Sequence, residues 1–144
     1  MDYLQIKLCD IQGRLFELSM QAGFDSESFI KIFMNSEIAK NLDSSYNRMQ
    51  WAGEEYLLEE LSAQNIIEKS DDQFSRDVLY WAGYTYRFWH YMTGESSKKI
   101  YKQATAVTMK RNYMMFHTMD PGLAVENLKE IYRQKKNKSS GKLV

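Results

Sequence analysis

The chain has 144 residues, a formal net charge of zero and one cysteine, Cys9. This length fits one domain, and a single cysteine excludes an internal disulfide. No apolar run approaches the ~20 residues that a membrane-spanning helix needs. The first ten residues lack the basic start of a signal peptide. We therefore expect a cytoplasmic protein with no membrane contact.

Apolar residues recur at helical spacing through most of the chain, and no alternating strand pattern stands out. We predict helices over about 3–22, 26–34, 48–68, 72–92, 96–103, 107–117 and 121–134, with a short turn over 36–42. Asp120 and Pro121 are a strong helix start, because the acid can cap and proline suits the first helical position. The prediction is one all-α domain over residues 1–134 and a flexible basic tail over 135–144.

The helix over Asp72–Met92 is predicted to be the centre of this domain. Seven of the 20 aromatic residues lie between Tyr80 and Tyr91, and a helix that is aromatic on every side is usually buried. We expect an irregular or orthogonal bundle of five to seven helices around it. One stripe of this helix is polar, and it is either a buried network or an exposed partner-binding surface; its members are Tyr84, Arg87, His90 and Tyr91.

Two segments of the chain resemble each other. Gln50–Tyr56 reads QWAGEEY and Tyr80–Tyr86 reads YWAGYTY. Glycine inside a helix costs ~1 kcal/mol relative to alanine, so a glycine there suggests a geometric need. We interpret the two segments as a pair of similar helices, in which Gly53 and Gly83 allow a close approach.

Charge is divided unevenly along the chain. Residues 1–95 carry a net charge of −8, and residues 96–144 carry +8. Such an asymmetry indicates either an acidic partner or nucleic acid for the basic half, or complementary faces within one fold. A nucleic-acid-binding surface would use the cations of a helix-turn-helix-like segment, which are Lys98, Lys99, Lys102, Lys110 and Arg111.

Two further sets of residues are candidates for function. Arg111 and His117 have the Arg-x(4–6)-His spacing of HEPN-domain ribonucleases, in which arginine stabilises phosphate charge and histidine transfers protons. Six residues turn a helix by about 240°, so the pair need not share a face. Met114 and Met115 belong to a methionine-rich segment, which is typical either of a core or of an adaptable partner-binding surface. We see no motif for a metal or another cofactor.

The blocks Met49–Glu60, Tyr80–Ala104 and Asn112–Gln134 carry a wider resemblance. They resemble an uncharacterised family of small all-helical proteins from anaerobic gut bacteria, in sequences such as GYTYRFWHYMTGESSKKIY and FHTMDPGLAVENLKEIYRQ. Members of this family lie beside short toxin–antitoxin-like reading frames. The resemblance implies an antitoxin-like or accessory protein that binds a companion from its gene cassette. It implies no catalytic residues.

The leading interpretation is a non-enzymatic protein-interaction module that binds a companion protein through Tyr84, Arg87, His90, Tyr91, Met114 and Met115. It could also form a homo-oligomer. One alternative is a HEPN-like ribonuclease that uses Arg111 and His117. A further alternative, less favoured, is a helix-turn-helix-like DNA-binding regulator.

Overall fold

The computed structural model describes residues 1–45 and 47–141. This part of the chain forms eight α-helices and one short 3-10 helix, and it contains no β-strand beyond an isolated bridge between Phe24 and Lys69. The helices are α1 Tyr3–Gln21, α2 Ser26–Met34, α3 Glu37–Asp43, the 3-10 helix Arg48–Trp51, α4 Glu54–Gln64, α5 Arg76–Thr93, α6 Ser97–Gln103, α7 Ala106–Phe116 and α8 Pro121–Gly141. The prediction of an all-α fold is confirmed.

The number of helices exceeds the predicted five to seven. The segment read as a turn is the separate helix α3, whose seven residues begin after a capping serine. The side chain of Ser36 accepts a hydrogen bond from the backbone nitrogen of Ala39, and Ser96 caps α6 in the same way through Lys99. Each cap satisfies a backbone N–H that has no partner within its own helix, which helps such short helices to form.

The predicted helix over 48–68 is interrupted near its start. Gly53 is the residue before α4 and has an extended backbone, so it lies outside the helix. Within α4, Leu57 and Leu61 are buried, but Tyr56 is half exposed. The repeated Trp-Ala-Gly sequence therefore does not mark two similar helices, because only its second copy lies inside a helix.

The closest helix packing joins α1 to α5. A Cβ atom added to Gly83 would lie 2.5 Å from the backbone oxygen of Gln12 and 2.9 Å from Cγ of Phe16. An added Cβ at Gly53 would meet nothing within 4 Å. The close approach predicted for glycine is thus present at Gly83, but the neighbour is α1. Gly53 is explained instead by its position at the N-cap of α4.

Aromatic rings fill the core between α1, α2 and α5. The ring of Phe16 lies edge-on to those of Phe29 and Phe33, with centroids 5.3 and 5.5 Å away, and to that of Tyr86 at 6.1 Å. All four rings are buried. Edge-to-face pairs are favourable because the positive ring edge meets a negative ring face. Besides α1, α5 packs against α6, α7 and α8.

The last helix is longer than predicted. α8 starts at Pro121, as expected, and the Asp120 carboxylate accepts a hydrogen bond from the backbone nitrogen of Gly122. It continues through Gly141, so residues 135–141 of the predicted tail are helical. Residues 142–144 of that tail lie outside the described residues. Flexibility of this segment stays a prediction. Within the described ranges, no helix is both long enough and apolar enough to cross a membrane.

Candidate functional site

An open groove of about 600 Å³ lies where α5, α7 and the start of α8 meet. We call it the aromatic groove. Four rings line it, and they belong to Tyr80, Trp81, Tyr84 and Tyr113. Its polar lining comes from Glu17, Arg76, Asp77 and His117, and Met119 lies at its α8 side. Aromatic residues that are half buried around a concave surface are typical of binding sites.

The rings in the aromatic groove are held in pairs. Trp81 and Tyr113 are T-shaped with centroids 5.8 Å apart, and they join α5 to α7. Tyr80 and Tyr84 are one helical turn apart, and their centroids lie 6.1 Å from each other. The Tyr80 hydroxyl also donates a hydrogen bond to Asp10 on α1. Because most of the rings are braced by neighbours, the groove is formed before any partner arrives.

His117 adds a hydrogen-bond acceptor to the groove. Its ring is stacked on that of Tyr113 with centroids 4.3 Å apart, and its Nδ1 lies 2.8 Å from the Tyr113 carbonyl oxygen. A carbonyl oxygen can only accept, so Nδ1 carries the proton. In the neutral ring Nε2 is then an acceptor.

Charges at the rim of the groove are partly neutralised. Nε of Arg76 lies 2.6 Å from Oε2 of Glu17, so these two form an ion pair between α5 and α1. Among the described residues, the Asp77 carboxylate makes no ion pair. The groove therefore offers the negative faces of its rings, the Asp77 carboxylate and the acceptor of His117. Arg76 also lines the groove, and it is paired with Glu17.

Arg87, which was predicted as a partner contact, belongs to the interior. Its side chain is 1% exposed. Its Nε donates to Oε1 of Gln12 at 2.8 Å, its Nη1 to Oδ1 of Asp43 at 2.7 Å and its Nη2 to Oγ of Ser97 at 3.3 Å. These partners lie on α1, α3 and α6. Arg87 therefore presents no surface to a partner, and its bonds connect four helices.

The rest of the polar stripe divides between interior and groove. Nδ1 of His90 lies 2.7 Å from the backbone oxygen of Glu95, to which it donates. The Tyr91 hydroxyl is buried and has no hydrogen-bond partner among the described residues, and burial raises its pKa to about 12. Tyr84 lines the aromatic groove. Of the four predicted residues, Tyr84 alone contributes to this groove.

Met114 and Met115 are strongly exposed, with 78% and 68% of their surface open to solvent. They lie on the outer side of α7, and the core side of that helix is formed by Met109 and Phe116. The choice left open by the sequence is therefore resolved for these two methionines: neither belongs to the core. Which molecule covers them is a separate question.

The predicted ribonuclease pair is spread around α7. The helix is regular from Ala106 to Phe116, and His117 is its C-cap residue. Arg111 and His117 therefore point in directions about 120° apart. His117 lines the aromatic groove and Arg111 does not. Among the described residues, no contact joins the two side chains.

The predicted nucleic-acid-binding cations do not share one groove. Lys98, Lys99 and Lys102 line an open hollow of about 540 Å³ together with Lys136 of α8. Lys110 lies with its Nζ 5.0 Å from the centroid of the Phe74 ring. Neither Lys110 nor Arg111 lines the hollow.

Sequence reasoning missed the polar half of the aromatic groove. Glu17, Arg76 and Asp77 lie at the ends of α1 and α5, in charged positions that look like ordinary solvated surface. The spacing of Tyr80 and Tyr84, and of Tyr113 and His117, is four residues. This spacing places each pair on one face of its helix, so the sequence could have indicated the α5 side and the α7 side of the groove separately. Nothing in the sequence indicated that these two sides meet.

The described residues contain no group of three or more His, Cys, Asp or Glu side chains that could hold a metal ion. Comparison with known proteins adds no candidate: no family model, curated protein or solved structure matches this chain.

Proposed function

We propose that the protein is a non-enzymatic protein-interaction module, and that a companion protein docks in the aromatic groove. The observation that carries this proposal is the open groove of about 600 Å³ between α5, α7 and α8. Tyrosine and tryptophan are enriched in protein interfaces because they bury much area with few rotatable bonds. The proposal takes α5 as the helix around which the bundle is arranged, and its contacts with α1, α6, α7 and α8 support this arrangement.

The chemistry of the groove favours a partner segment that carries a lysine or an arginine. Trp81 and Tyr84 offer ring faces, and a cation over such a face gains ~0.5–2 kcal/mol, depending on its desolvation. Asp77 supplies the opposite charge, and Arg76 is already paired with Glu17. Each acceptor in this set can receive a hydrogen bond from a basic side chain, whereas an acidic side chain would be repelled.

The resemblance described above supplies the biological setting of the proposal. It supports a companion encoded in the same bacterial gene cassette and an antitoxin-like or accessory role. The cytoplasmic location expected from the sequence is part of the same proposal. The ribonuclease and DNA-binding alternatives stay predictions, and the contacts of Arg111, His117 and Lys110 add no support to them.

Co-expression with each neighbouring reading frame tests the proposal. We expect one neighbour product to form a stable complex with the wild-type chain. Tyr84→Ala should weaken that complex about 30-fold or more, the effect of a residue that contributes ~2 kcal/mol at the centre of an interface. Asp77→Asn should weaken it by a smaller factor. Binding constants measured by isothermal titration calorimetry give both numbers.

Tyr3→Ala is the matched control, because Tyr3 is 81% exposed on α1 and does not line the groove. It should leave the affinity unchanged. The proposal is wrong if no neighbour product co-purifies. The assignment of the groove is wrong if a complex forms and Tyr84→Ala binds as tightly as Tyr3→Ala.

A further inference from the structure

Two exposed surfaces away from the aromatic groove combine apolar side chains with nearby charges of opposite sign. The first, which we call the methionine face, is the outer side of α7. It carries Val107, Met114 and Met115 together with Lys110 and Arg111, all of which are exposed. At 100° per residue these five side chains fall within about 140° of the helix circumference. Along α7 the two cations therefore lie at the middle of the face, with Val107 on their N-terminal side and Met114 and Met115 on their C-terminal side.

The second surface, which we call the tryptophan hollow, lies between the 3-10 helix and α4. It is an open depression of about 340 Å³ lined by Arg48, Met49, Trp51, Ala52 and Tyr56. Trp51 is 78% exposed and Tyr56 is 47% exposed. Its exposed aromatic rings suit a methionine side chain, because sulfur–aromatic contacts are favourable.

Two acidic side chains lie on α4 near Tyr56, which lines the tryptophan hollow. Glu55 and Glu59 are exposed and share the outward side of α4 with Tyr56. One helical turn thus separates Glu59 from the hollow, just as about one turn separates Arg111 from Met114 on α7. Arg48 is the one cation in the lining, and the two carboxylates outnumber it. On α4 an acidic residue therefore lies about one turn from the hollow, and on α7 a basic residue lies about one turn from a methionine.

Most charges of these surfaces make no ion pair inside the molecule, although Lys110 lies with its Nζ 5.0 Å from the centroid of the Phe74 ring. Among the described residues, the ion pairs that connect residues 1–95 with residues 96–144 are those of Lys99 and Lys129, and both use Glu95. Neither Glu55 nor Glu59 pairs with a cation in the described part of the chain, and the same holds for Arg111. The division of charge along the sequence therefore remains open for contact between molecules.

We propose that the occupant of each surface is a second copy of this chain. Met114 of one molecule enters the tryptophan hollow of the next, and Lys110 and Arg111 meet Glu55 and Glu59. Such a contact joins unlike surfaces, so it closes into a ring or continues as a chain according to the rotation that it imposes. The contact leaves the aromatic groove free for the companion protein.

Charge reversal at exposed positions tests this proposal. One variant carries Lys110→Glu with Arg111→Glu, and the other carries Glu55→Lys with Glu59→Lys. Wild-type protein should associate reversibly over about a hundredfold range of concentration, as mass action requires, and less strongly at high salt. Each variant alone should be monomeric, because both of its surfaces then carry the same sign. A mixture of the two should associate again.

Analytical ultracentrifugation measures all of these states, and thermal unfolding shows that each variant is folded. Lys135→Glu with Lys138→Glu is the matched control for the variant of α7, since it makes the same change in net charge on exposed positions of α8. It should associate like the wild type. A wild type that is monomeric at every concentration overturns the proposal. So do variants that associate like the wild type, or a mixture that stays monomeric.

Discussion

Arg87 shows how one buried charge can organise several helices. Its guanidinium reaches Gln12, Asp43 and Ser97, and Asp43 also accepts a hydrogen bond from the backbone nitrogen of Ser97 at 2.8 Å. A planar guanidinium with several fixed donors suits such a site, which a lysine could not satisfy. Burying the charge is costly, and that cost is offset only while every partner is present.

Replacing this arginine should therefore destabilise the fold strongly. Arg87→Met is expected to lower the free energy of unfolding by about 3–5 kcal/mol, because Asp43 is left buried without its partner. Arg133→Met, in the exposed pair with Glu130, should cost at most ~1 kcal/mol. Urea unfolding of both variants measures the difference. Equal losses would contradict the role given to Arg87.

At the scale of the helices, the packing of α1 on α5 depends on small residues. Gly83 has the backbone of Gln12 directly against it, and the side-chain Nε2 of Gln12 donates to the Gly83 carbonyl oxygen at 2.9 Å. Gly13 lies similarly close to the ring of Tyr80. A larger side chain at Gly83 must push two helix backbones apart, because backbone atoms cannot move aside as a flexible side chain can.

The same substitution at Gly83 and at Gly53 should have different effects on the free energy of unfolding. Gly83→Ser should lower the free energy of unfolding by about 1–3 kcal/mol, the usual cost of overpacking. Gly53→Ser should be neutral or slightly stabilising, because serine is a good N-cap residue and the position is open. Melting temperatures compare the two directly. A Gly83→Ser protein as stable as Gly53→Ser would show that α1 and α5 can separate without cost.

At the scale of the whole molecule, Glu95 connects the acidic and basic halves of the chain. Oε1 of Glu95 lies 2.6 Å from Nζ of Lys129 and 3.0 Å from Nε1 of Trp89. Burial alone would raise the pKa of the Glu95 carboxyl, but hydrogen bonds from Lys129, Trp89 and Gln103 outweigh burial and lower the pKa from 4.5 to about 2. The end of α5 is thereby tied to α6 and α8.

This pKa shift predicts how stability depends on pH. The unfolded chain binds a proton at Glu95 near pH 4.5, and the folded protein does so only near pH 2. Unfolding therefore takes up a proton between these values, and the contribution of Glu95, complete above pH 4.5, is lost as the pH falls toward 2. Glu95→Gln should be less stable than the wild type at neutral pH, and the gap should narrow over this range.

Denaturant unfolding at a series of pH values measures that gap. Glu130→Gln is the control, because its pair with Arg133 is exposed and should give a small gap at every pH. A gap between the wild type and Glu95→Gln that stays constant from neutral pH to pH 2 would show that Lys129 does not hold the Glu95 carboxylate.

The sequence by itself determined the helical character of the chain and several of its boundaries. Apolar spacing, the capping serine before α6 and the Asp120–Pro121 start are local signals, and local signals decide local structure. It also indicated that Tyr80–Tyr91 would be packed with rings. Met114 and Met115 could be placed in a helix, but core and surface were equally compatible with their pattern.

The tertiary structure alone decided which residues meet. Gly53 and Gly83 both follow Trp-Ala in the sequence, yet only Gly83 faces another helix, because contact depends on the path of the whole chain. Arg87 became an interior residue once α1, α3 and α6 surrounded it. The aromatic groove likewise needs α5 and α7 side by side, and their side chains come from positions about thirty residues apart. Helical periodicity reports which face of a helix is buried and carries no information about the helix that covers it.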